Sequence, residues 1–262
     1  MHDDSHDGGF SKDLRALTRA MARRQLLGWA AGTGLVAAVG CSGDELGSGG
    51  DGNEACSLTP EETAGPYPGD GSNGPNALAL EGITRSDIRT SVGGASGTAA
   101  GIPLKVELTI AASDDDCASL AGYAVYLWHC DRDGNYSMYS AAVVDENYLR
   151  GVQASDDDGT VTFTTTFPGC YSGRWPHIHF EVYASVEDAV GGGDPLLTSQ
   201  LAFPADVCAE AYETAGYEAS VTNLAGTSLE SDNVFGDGVD AQLADVTGSA
   251  ADGYTATLLV GV

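Results

Sequence analysis

The sequence predicts an all-β fold, a β-sandwich core of mostly antiparallel strands joined by Gly-rich loops. Three observations carry that expectation. Short apolar or alternating runs recur along the chain, and each is bounded by turn signals such as Asp133-Gly134-Asn135, Asp158-Gly159 and Gly191-Gly192-Gly193. The chain carries 36 Gly in 262 residues, far more than helical packing favours. No long stretch repeats its apolar residues at the helical period, although Ala209–Ala215 has room for one or two helical turns.

The segments read in order as an address, a tether and a domain. Arg23-Arg24 precedes an apolar run, Leu26 to Gly40, that is too short and too rich in Gly and Ala to span a bilayer stably. A twin arginine before such a run resembles a twin-arginine export signal. The run ends Ala38-Val39-Gly40-Cys41, which resembles a lipoprotein cleavage site and makes Cys41 a candidate lipid anchor. Residues 1–40 are therefore expected to be a signal, and the protein to be exported and tethered outside the cytoplasm. Residues 41–55 are mostly Gly, Ser and acid and bury too little surface to fold, so they read as a flexible tether. Residues 56–262 remain, enough for one domain with a real core.

Within that domain the expected strands are Pro103–Ile110, Gly122–Cys130, Thr160–Phe167, His177–Ala184, Leu196–Phe203 and Tyr254–Val260. Val161, Phe163 and Thr165 alternate with Thr162, Thr164 and Thr166. Ala124, Tyr126 and Trp128 likewise alternate with Val125, Leu127 and His129.

Charge limits the partners. The formal net charge is −27, and from Cys41 onward only six basic residues face 34 acidic ones. Such a surface repels phosphate backbones and anionic headgroups, so nucleic acid is excluded as a partner. Five cysteines follow Cys41, none in a close C-x-x-C pair, which argues against a zinc site. An exported protein can hold disulfides, and Cys117 with Cys130, across a short β connection, is the expected pair.

The chemistry-bearing residues lie in two stretches. His177 and His179 are two apart in a strand pattern, so both imidazoles project from one face and can share a metal. His129, the remaining histidine of the domain, reads as a packed strand residue. Tyr136 and Tyr171 each follow a Gly-containing turn, which places a large ring at a strand edge. Taken singly, each Tyr is most simply a packed ring with its hydroxyl on the backbone.

Together these stretches resemble the intradiol ring-cleavage dioxygenases. The resemblance rests on Thr59-Pro60-Glu61-Glu62-Thr63-Ala64-Gly65-Pro66-Tyr67, on W-x-x-x-x-x-G-x-Y at Trp128–Tyr136, on P-G-x-Y-x-x-R-x-x-H-I-H-F at Pro168–Phe180, and on Thr198-Ser199-Gln200-Leu201. It implies a β-sandwich holding one non-haem Fe(III) per chain through Tyr136, Tyr171, His177 and His179. It implies a catechol-type substrate and O2, with Tyr171 as the mobile ligand whose phenolate takes a substrate proton. Arg174 would stabilise developing negative charge, Gln200 would orient Arg174 or the substrate, and Thr63, Gly65, Pro66 and Tyr67 would line the pocket. It also implies homo-oligomers, which family members often form. The donor types make physical sense, because a triply charged hard ion deprotonates phenol and two phenolates offset most of its charge.

The chain departs from the family pattern at Trp175-Pro176, where a Trp is expected to narrow the pocket, and at Cys170, a thiol beside a ligand Tyr. No basic residue besides Arg174 is placed to grip a substrate carboxylate, which favours an uncharged catechol. Two other readings stand beside this one. A copper or zinc sandwich protein would use H-x-H with His129 as a third imidazole. An exported binding or adhesive lipoprotein would carry a vestigial site on the same sandwich.

Overall fold

Alternation and turn chemistry resolve into two stacked sheets in the computed structural model, which describes residues 56–262. The expected signal, the Cys41 anchor and the tether lie outside the described residues. The strands are β1 (Pro103–Ala111), β2 (Ala124–Trp128), β3 (Arg150–Ala154), β4 (Thr160–Thr166), β5 (His177–Tyr183), β6 (Leu197–Ala202), β7 (Asp245–Ser249) and β8 (Gly253–Gly261). One sheet has the order β4-β1-β8-β7 and the other β3-β2-β5-β6. All neighbours pair antiparallel except β1 with β8. The all-β sandwich expected from the sequence is the observed fold.

Period-two alternation decides what each sheet does. In the first sheet Leu104, Val106, Leu108 and Ile110 point inward, and the outer face carries Lys105, Glu107 and a series of threonines. The second sheet is buried on both faces. Val125, Leu127, Ile178, Phe180, Val182 and Leu201 meet the first sheet in the sandwich core. Tyr126, Trp128, His177, His179 and Glu181 occupy the opposite face, which loops and turns cover rather than solvent.

All six expected strands are present, with ends shifted by a residue or two. Two strands escaped the reading. β3 reads Arg-Gly-Val-Gln-Ala and β7 Asp-Val-Thr-Gly-Ser, and neither has an apolar alternation to see. The expected helical turns at Ala209–Ala215 are displaced to α2 (Ala205–Ala211), which starts directly after Pro204. Two further short helices, α1 (Val186–Gly191) and α3 (Glu218–Leu224), flank it in sequence.

The disulfide differs from expectation. Cys56 bonds Cys117, while Cys130, Cys170 and Cys208 are free and buried. Register explains the choice. Thr59 donates its amide to Gly261 at 3.0 Å, which lays the start of the domain along the end of β8, beside the loop that follows β1. Cys130 lies elsewhere, at the end of β2, with its thiol donating to the Gly169 carbonyl at 3.3 Å.

Candidate metal centre

The site forms where β5 meets two loops. β5 supplies His177 and His179 on one face, and both are 3% exposed. The His177 Nδ1–H donates to the Trp175 carbonyl at 2.5 Å, which leaves Nε2 with its lone pair outward. Its Nε2 stands 3.0 Å from Nε2 of His179 and 3.4 Å from the Tyr136 hydroxyl. Trp128, the β2 residue paired with His179, stacks on that imidazole with centroids 4.9 Å apart and rings 5° from parallel.

Tyr136 reaches the pair through a tight turn. One Asp131 carboxylate oxygen accepts the amides of Asp133 and Asn135, and the Asp131 amide donates to the Asn135 carbonyl at 2.8 Å. The loop carrying Tyr171 is laced onto this turn by the Gly169 amide, which donates to the Asp131 carbonyl at 3.0 Å. A Cβ on Gly169 would lie 2.6 Å from the Arg132 carbonyl oxygen, so only glycine permits the approach. Tyr136 and Tyr171 thereby meet edge to face at 5.7 Å. The structure thus brings Tyr136, His177 and His179 to one point, with the ring of Tyr171 beside them.

Burial sets their protonation. It raises the Tyr136 phenol well above 10, and the neighbouring Cys130 and Tyr171 act in the same sense. Burial first, then the Arg174 charge, lowers His177 to about 3. Burial and His177 also lower His179 well below its ordinary value. Without a cation the site is therefore a phenol facing two neutral imidazoles.

The donors fit a metal ion. The Nε2 atoms of His177 and His179 are 3.0 Å apart with the Tyr136 hydroxyl 3.4 Å from the first, so two imidazole lone pairs and a phenol oxygen face one point where a cation can sit. Among the described residues no three His, Cys, Asp or Glu side chains cluster as a metal cage, so an ion here depends on the tyrosine oxygens. Hard phenolate oxygens beside imidazoles suit a ferric ion. His129 is no third imidazole for copper or zinc, since its ring bonds the Cys130 carbonyl and the Thr165 hydroxyl, both at 2.7 Å.

The expected pocket residues border the same centre. The Tyr67 hydroxyl is 3.2 Å from that of Tyr171, and its ring lies 4.9 Å from Tyr136. Gly65 has φ of 71°, and a Cβ there would sit 3.3 Å from Cε1 of His179. Thr63 accepts the Gln200 side-chain amide on its carbonyl at 2.9 Å, and its hydroxyl accepts the Gly65 amide at 3.0 Å. Pro66 follows, with its carbonyl accepting from Asn73 at 2.8 Å. Gln200 in turn accepts from Nη2 of Arg174 at 2.8 Å. Trp175 packs instead with Ala202, Val234 and Phe235, its indole N–H on the Phe203 carbonyl. Cys170 stays a buried thiol that donates to the Arg174 carbonyl at 3.4 Å.

Two charged residues escaped the sequence reading. Asp232 receives Nε of Arg174 at 2.9 Å and Nη2 at 3.2 Å, together with the amides of Trp175, Val234 and Phe235. Burial works to raise its carboxyl, but Arg174 and these amides prevail and hold it below the usual carboxylate range. Arg150, fully buried on β3, places its guanidinium on the carbonyls of Tyr67, Pro68 and Ser137 and the hydroxyls of Ser137 and Tyr126. It ties the Tyr67 loop to the turn carrying Tyr136. Nothing in the spacing of single charged residues signalled either role.

Known proteins share this fold. A family model described as Dioxygenase matches residues 82–232, more than half of the chain. An intradiol ring-cleavage dioxygenase from Tetranychus urticae superposes with a TM-score of 0.62 at 26% identity, over 79% of this chain and 94% of that one. A second solved dioxygenase gives 0.59 at 27% identity, with the same coverage of 79% and 94%. Chlorocatechol 1,2-dioxygenase from Rhodococcus opacus is 29% identical over 121 residues, which span 39% of this chain and 44% of that protein. The match thus covers less than half the length of that curated relative.

Proposed function

The chain belongs to the intradiol ring-cleavage dioxygenase family, and on that premise we propose that it is an exported Fe(III) enzyme acting on a catechol-type substrate. Both atoms of O2 enter the ring, which opens between its hydroxyl-bearing carbons to give a muconate-type dicarboxylic acid. The observation that carries this reading is the convergence of Tyr136, His177 and His179 on one buried point with Tyr171 beside them.

Tyr136, Tyr171, His177 and His179 would hold the metal. When bound, ferric iron would supply a Lewis-acidic centre that makes a catechol ring reactive toward O2. Tyr171 takes a substrate hydroxyl proton on its phenolate oxygen, and Tyr67, at 3.2 Å, hydrogen-bonds that oxygen as it changes state. Arg174 lies near enough to Tyr136, His177 and His179 for its charge to shift all three, so it also faces negative charge developing on the substrate. Gln200 fixes its Nη2 edge. The Trp128 stack and the flanking loops exclude water from the His face. The twin-arginine pattern before Leu26 supports export of the already folded chain, with Cys41 as the lipid-bearing residue.

The test is the visible spectrum of the iron-loaded protein, with iron quantified, before and after catechol is added under nitrogen. A tyrosinate-to-iron band that shifts with catechol and is lost in Tyr136→Phe is the expected result. A protein that stays colourless after reconstitution with ferric iron overturns the reading and favours the binding lipoprotein.

A further inference from the structure

Six basic residues serve the described domain, and five of them are committed elsewhere. Arg89 pairs with Asp87, Lys105 with Glu107, and Arg132 lies 3.9 Å from Asp133. Arg85 bonds the carbonyls of Thr90, Asn147 and Arg150. Arg150 spends its five N–H groups on five protein oxygens, so none remains for a substrate. Arg174 alone is left to meet an anionic group on a bound ring.

Arg174 is itself compensated. Its Nε and Nη2 edge lies on both carboxylate oxygens of Asp232, a side chain with 0% exposure, and Nη2 also donates to Gln200. Nη1 makes none of these contacts. The guanidinium is thus held in one orientation, with part of its charge offset by Asp232. A strong pair of this kind adds little attraction for a further anion. The acidic surface of the domain repels anions at longer range as well.

Building on the function proposed above, we infer that Asp232 determines specificity: by offsetting the charge of Arg174 and fixing its orientation, it disfavours catechols with an anionic substituent. Asp232 acts through Arg174, so it is a positioning residue. The residue that a ring carboxylate would meet is Arg174, and the residue that weakens the attraction is Asp232.

The test compares binding of catechol and 3,4-dihydroxybenzoate to the iron-loaded full-length chain, by calorimetry under nitrogen so that no turnover occurs. Wild type is expected to bind catechol and to discriminate against the carboxylated ring. In Asp232→Asn the discrimination should shrink on the order of tenfold, because the charge of Arg174 is no longer offset. Asp232→Glu should retain the wild-type preference. Asn places a donor against amide or guanidinium N–H groups, so Asp232→Ser, whose hydroxyl can still accept from Val234 and Phe235, is the second neutral variant. Equal weakening of both probes in the neutral variants, with their ratio unchanged, makes Asp232 purely structural and overturns the inference. A wild-type protein that binds neither probe at its iron defeats the dioxygenase reading itself, a result distinct from an unchanged ratio.

Discussion

Single atoms decide the candidate centre. His177 and His179 were legible because period two puts them on one face, and Tyr136 and Tyr171 because each follows a turn. Asp232 was invisible because one carboxylate among 38 acidic residues carries no local signal. Its role exists only where the loop after α3 meets the start of β5. Arg150 was hidden for the same reason, since its five acceptors come from three separate segments. Arg150→Met should strand the carbonyls of Tyr67 and Ser137, while Pro68 keeps the Tyr126 hydroxyl, and cost about 3 kcal/mol, measured by urea unfolding. A loss below 1 kcal/mol, roughly that of a surface change, would show that water reaches these groups. Gly65→Ala forces a side chain into a left-handed backbone against His179. It should cost about 1–2 kcal/mol and weaken iron binding, as seen by thermal unfolding with and without metal.

At the scale of elements, the second sheet turns one hydrophobic pattern into two interiors. Val125, Leu127, Ile178 and Phe180 build the sandwich, while the alternate residues of the same strands build the metal face. The sequence shows this as alternation between two sets that are both largely apolar. β3 and β7 were missed because nothing alternates in them; tertiary pairing with β2 and with β8 makes them strands. The lacing of the two tyrosine loops makes its own prediction. Gly169→Ala must push the Tyr171 loop off the Asp131 turn, so bound iron should fall several-fold while the far-ultraviolet circular dichroism of the sheets persists. Unchanged iron stoichiometry and affinity would mean that the tyrosines are placed independently of that contact.

Across the whole molecule, buried titratable groups set the response to acid. Burial lowers His129 to about 4, so between that value and its ordinary 6.5 the unfolded chain binds the extra proton. Its contribution is complete above pH 6.5 and disappears as the pH falls, by about 3 kcal/mol. His177, lowered to about 3, acts in the same direction. Glu181 opposes them: burial raises its carboxyl from 4.5 to about 7, so its contribution is complete below pH 4.5 and lost as the pH rises through 7. The histidines outnumber it, and metal-free protein should lose stability between pH 7 and 4.5 in urea titrations. Glu181→Gln should deepen that loss by about 3 kcal/mol. A wild-type protein that becomes more stable on acidification would contradict the burial of these imidazoles.

The parallel pairing of β1 with β8 also imposes an order in time. Leu104 pairs with Tyr254, more than half the chain away, and β8 separates β1 from β7 in the finished sheet. While the chain is being made, β1 can pair with β4 on one side, but its other edge stays open until β8 emerges. β8 is therefore the latch of the sandwich, and a nascent chain halted before Gly253 should be digested by protease far faster than one carried through Gly261.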